Sequence, residues 1–136
     1  MANATPQTDK DITAFAAAEL MALPALVRAA ETLLADLGQT VRATKQLLAE
    51  AETDVQINAT VTGKNAESRK LELEAAVNNS AAVTTLRGQL AGLEQQYATA
   101  DVDYSSLHRR WKSAMALAEL QSAKIRYLAT FEPKQK

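Results

Sequence analysis

Apolar side chains recur in this sequence at alternating intervals of three and four residues, in two stretches long enough to dictate the architecture. The first runs Leu23, Val27, Ala30, Leu34, Leu37, Val41, Thr44, Leu48, Ala51 and Val55. The second runs Val83, Leu86, Leu90, Leu93, Tyr97, Ala100, Tyr104, Leu107, Trp111, Ala114, Ala118, Gln121, Ile125 and Leu128 without a slip. That spacing keeps one stripe of a helix facing a partner helix, as in a coiled coil, and is incompatible with the period of two that a strand needs. Arg28, Glu31, Arg42, Lys45 and Glu52 fall mostly outside the first stripe. Gly38 interrupts it at a cost of about 1 kcal/mol relative to alanine, which ten consecutive stripe positions outweigh.

Local signals set the expected boundaries. Residues 1–8 read as a disordered arm. Thr8 or Asp9 can cap a short helix over 9–23, which Pro24 is expected to end or kink, because proline removes a helix-interior hydrogen bond. A long helix over 24–57 follows. Around QINATVTGK (56–64) the pattern fades into β-branched and polar residues with Gly63, so 58–64 is expected to be the turn of a hairpin. Helices over 65–78 and 81–131 come next, with Ser80 able to cap the last, which at about 1.5 Å per residue is roughly 70 Å long. Pro133 ends it, and 133–136 form a basic tail. The fold class is therefore all-α: a long antiparallel helical hairpin of coiled-coil type with a short N-terminal helix, a single helical domain over 9–132. Leu26, Leu33, Leu47, Met115, Leu117 and Leu120 flank the two stripes. One hairpin partner cannot cover faces this wide, so a homo-oligomer is expected.

Composition restricts what such a chain can do. Apolar residues are 47% of the 136, but aromatic residues are only 4%, so helices approach closely while each contact buries little. There is no cysteine and one histidine, His108, which excludes disulfides, thiolate metal sites and multi-histidine zinc sites. No cofactor, metal or catalytic centre is expected. Asp101 and Asp103 lack a partner histidine or cysteine. Thr62-Gly63-Lys64 is like the end of a phosphate-binding loop, but its first glycine and preceding strand are missing. The N-terminus lacks a secretory layout, and no uninterrupted apolar run approaches the ~20 residues of a membrane span. A cytoplasmic location and no membrane contact are expected.

Charge is distributed unevenly. Residues 1–60 carry −4, residues 61–103 carry −2, and residues 104–136 carry +5. A sign difference between segments is a better guide to a partner than the net charge of −1. Two constellations stand out. At the turn, Lys64, Arg69 and Lys70 surround a helix start whose N–H groups could hold a phosphate, although Gly63 for the turn and Asn65 as a cap explain the same residues. On the last helix, Arg109, Arg110, Lys112, Lys124 and Arg126 interleave with Tyr104, His108, Trp111, Tyr127 and Phe131. Rings among cations suit single-stranded nucleic acid, where bases stack and phosphates meet the charges. Tyr104 and Trp111 lie on the apolar stripe, however, so core packing is their expected role.

The stretch TGKNAESRKLELEAAV (62–77), followed by a long helix with spaced Leu, Tyr and Glu, resembles small helical proteins of tailed phages. In size and plan the chain is also similar to phage recombination mediator proteins. That resemblance implies a helical oligomer that helps a recombinase onto single-stranded DNA. No mediator motif aligns residue by residue, so it carries no binding residues over. The leading expectation is a non-enzymatic oligomeric accessory protein of DNA recombination or replication. Its expected partners are further copies of itself, single-stranded DNA, and a recombinase or other DNA-bound protein. The alternative is a structural or scaffolding coiled-coil protein that binds only protein.

Overall fold

The computed structural model describes residues 8–131. All but Thr8 of the expected N-terminal arm, and the basic tail with Pro133, lie outside them. Three helices follow in order: α1 (Asp9–Asn58), α2 (Ala66–Asn79) and α3 (Ala81–Phe131). Their starts follow from local chemistry. The Thr8 hydroxyl accepts from the Asp11 N–H at 3.1 Å, the Asn65 side chain from the Ser68 N–H at 2.7 Å, and the Ser80 hydroxyl from the Val83 N–H at 3.4 Å. Each fills one of the donors that a helix start leaves without an intrahelical partner.

The helices expected over 9–23 and 24–57 are one helix, with Pro24 inside it. Proline costs a helix interior about 3 kcal/mol. Packing on both sides of it offsets that loss: Ala16 and Leu23 before Pro24 are buried, and Val27 and Ala30 after it are half-buried. A second expectation is also corrected. By length and composition α1 does contain an 18-residue window apolar enough to cross a membrane, of which only 11% is buried within the chain. Average hydropathy tolerates the isolated charged residues that break an uninterrupted run, and the window lies near the N-terminus.

The chain forms two compact units. One is Leu33–Asp101; the other combines Met1–Thr32 with Val102–Lys136. Within each, α1 and α3 run antiparallel. In the first unit Lys45 meets Glu94 at 3.8 Å, and Arg87 meets Glu52 at 3.2 Å and the Asn78 side chain at 2.9 Å. In the second, Arg110 meets Glu19 at 2.9 Å and Lys124 meets Asp9. Residue numbers rise on one helix as they fall on the other.

The apolar stripes are the packed faces. All ten stripe positions of α1 are buried or half-buried. So are those of α3 from Val83 to Gln121, apart from Tyr97, which is 38% exposed. Yet among the described residues only Ala16, Leu23, Thr44, Val77, Val83, Ala100, Ala114 and Gln121 are fully buried. The core is thin because two paired helices leave most stripe residues only half covered and three of these eight are alanine. Of the flanking residues, Leu26, Leu33, Leu47, Met115 and Leu120 are exposed and Leu117 is half-buried.

α3 continues through Gly88 and Gly92, where an added Cβ would meet nothing within 4 Å. Replacing both with alanine is therefore expected to stabilise the chain by about 2 kcal/mol, at about 1 kcal/mol per exposed helical glycine. Thermal unfolding of the double variant checks this, and an unchanged or lower midpoint would mean that α3 needs those glycines.

Candidate functional site

The turn joining α1 to α2 is organised around one carboxylate. Glu72, in the second turn of α2, accepts from the Thr62 N–H at 2.8 Å and the Gly63 N–H at 3.2 Å, and its other oxygen accepts from the Thr62 hydroxyl at 3.2 Å. The Thr62 N–H above all holds the Glu72 carboxyl below its ordinary range; partial loss of hydration opposes it, and the Gly63 N–H and Thr62 hydroxyl add to the lowering. Gly63 is required by close approach. A Cβ there would lie 2.8 Å from both the Arg69 nitrogen and the Ser68 Cβ.

This bears on the phosphate expected near Lys64, Arg69 and Lys70. The N–H groups of Thr62, Gly63 and Ser68 already have acceptors within the chain. Arg69 turns its Nε toward the Asn65 carbonyl at 3.3 Å, and Lys70 lies 4.0 Å from Glu74. Lys64 is exposed, with no ion pair among the described residues. The anion at this turn is the chain's own.

The basic residues of α3 are divided between two roles. Arg110 grips Glu19 with two hydrogen bonds, Nε at 3.2 Å and Nη2 at 2.9 Å, the fork geometry in which guanidinium binds carboxylate most specifically. Lys124 bonds Asp9. The basic C-terminal segment thus meets the acidic start of its own α1. Arg126 donates from Nε to the Ser122 carbonyl at 3.4 Å, within its own helix. Arg109 and Lys112 are exposed and make no ion pair among the described residues. Lys112, Glu119 and Arg126 are seven residues apart and so share one face of α3. Glu119 therefore sits between the two cations, and the strip alternates in sign.

The aromatic residues separate in the same way. Tyr104, His108 and Trp111 are half-buried, and the Tyr104 and His108 rings lie 5.8 Å apart. Tyr127 and Phe131 are exposed and stack on each other at 4.7 Å between centroids. Among the described residues no three His, Asp or Glu side chains are grouped as a metal site needs.

Together these features define a class, a helical hairpin with a thin core, a sealed turn and broad exposed apolar faces. Compared with known protein families, curated proteins and solved structures, the chain matches none.

Proposed function

We propose that this chain works by assembly, as a non-enzymatic helical-hairpin protein of structural or scaffolding type that associates through its apolar helix faces. One observation carries the reading. Of the large apolar side chains among the described residues, fifteen are exposed, Leu26, Met115, Leu120, Ile125 and Leu128 among them, and contiguous apolar helix faces left open in this way mark contact sites. The salt-bridge pattern agrees with it. Arg110 and Lys124, which the sequence offered for phosphates, pair with Glu19 and Asp9 of the same chain.

A second reading, the oligomeric accessory protein of recombination or replication that binds single-stranded DNA, draws on what is left over. Arg109 and Lys112 are exposed without ion pairs among the described residues, and Tyr127 and Phe131 offer exposed rings. Light scattering with and without a single-stranded oligonucleotide, at low and moderate salt, separates the two. Scaffolding gives one defined oligomer that ignores the oligonucleotide. DNA binding gives an added mass that disappears as salt rises, because neutralised phosphates release counterions, and it should weaken when Arg109 and Lys112 are replaced by glutamate.

A further inference from the structure

The inference here rests on the assembly reading and locates the contact. The stripe of α3 is covered as far as Gln121, which is 7% exposed, and then the cover stops: Ile125 is 61% exposed and Leu128 is 53% exposed. The cause is register. Lys124 bonds Asp9, the first residue of α1, so α1 offers no further turn against which the stripe can pack. On the adjoining face of the helix Phe131 and Tyr127 are 66% and 64% exposed. Of the fifteen large apolar side chains exposed among the described residues, ten belong to the unit containing this helix end.

We infer that the end of α3, Ile125 to Phe131, is a self-association surface that takes the same segment of a second copy. Three observations select that occupant. The uncovered residues continue a helix-pairing period, so what fits them is another helix bearing that period. A shallow groove lined by Thr13, Ala14, Ala17, Gln121, Ile125 and Leu128 lies alongside, and its alanines leave room for a large side chain to enter. Of the adjacent cations, Lys124 is paired with Asp9, which takes one charge away from a phosphate-bearing occupant and suits an apolar one better. A two-fold axis brings identical patches face to face. Ile125, Leu128 and Phe131, more than half exposed within about 120° of the helix surface, present on the order of 350 Å² per copy and, with the groove residues alongside, approach the size at which specific interfaces begin.

The test uses the full chain and sedimentation velocity, with helicity followed by circular dichroism. The expected result is an oligomeric parent and an Ile125→Asp/Leu128→Asp variant that dissociates with its helicity intact, its dissociation constant raised roughly 100-fold or more. A Leu33→Asp/Leu47→Asp control stays assembled. If the double variant loses helicity, Leu128→Cys decides in the otherwise cysteine-free chain: a disulfide-linked dimer on oxidation supports the surface, and its absence overturns it. An Ile125→Asp/Leu128→Asp variant as oligomeric as the parent overturns this surface while leaving assembly standing. A monomeric parent overturns both, whether or not it binds an oligonucleotide or anionic vesicles.

Discussion

Replacing Leu23 with alanine is expected to cost about 2–4 kcal/mol, the usual range for emptying a fully enclosed leucine site. Leu23 is 0% exposed and, with Val83, is one of the two largest side chains that are completely enclosed. A loss of that size is a large share of the 5–15 kcal/mol that holds a typical domain together, and this chain has few other buried side chains to share the load. Leu23 also precedes Pro24, where α1 already lacks a hydrogen bond, so the packing that carries the helix past the proline goes with it. Met21 supplies the contrast at 85% exposed; Met21→Ala should move stability by less than about 0.5 kcal/mol. Denaturant unfolding of the two variants at one protein concentration checks both values, and equal losses would remove Leu23 from the core.

The turn should be nearly as sensitive. Gly63→Ala places a methyl group 2.8 Å from the Arg69 backbone nitrogen, so the backbone has to move, with an expected loss of about 1–3 kcal/mol as for other overpacked sites. Moving it also displaces the Gly63 N–H from Glu72. That carboxylate gives the turn a pH dependence of known sign. Its value is lowered in the folded chain, so its contribution is present in full above the ordinary value of 4.5 and is lost as pH falls through the depressed one. Glu72→Gln should therefore destabilise at neutral pH and remove that part of the acid-side decline. Unfolding curves between neutral and acid pH would show the parent and variant converging; parallel curves would mean that the carboxylate does not hold the turn.

The hairpin was legible because its information is periodic. Two stripes of three-four spacing named the packed faces, and the hydroxyl and amide residues before them named the helix starts at Thr8, Asn65 and Ser80. Of the two outcomes expected at Pro24 the break does not occur, since a local rule about backbone hydrogen bonds is outweighed by packing on both sides of it. The ion pairs of the basic strip were not legible, for a related reason. Charge segregation along the sequence was visible, but the register that sets Arg110 against Glu19 and Lys124 against Asp9 depends on how α1 and α3 align, across 91 and 115 residues. The Glu72 clamp left no sequence signal beyond a glutamate in the helix after a glycine turn. Its partners Thr62 and Gly63 are drawn in by loop geometry, which has no period to read. Exposure at Ile125 and Leu128 was hidden too, because the stripe continues past the point where its cover ends.

Sedimentation equilibrium of the full chain over a wide concentration range puts assembly to the proof. The expected result is a mass at a whole multiple of 14.6 kDa, falling toward one chain only on strong dilution, with a thermal midpoint that rises with protein concentration as linkage requires. A single-chain mass at every concentration, with a constant midpoint, would contradict it.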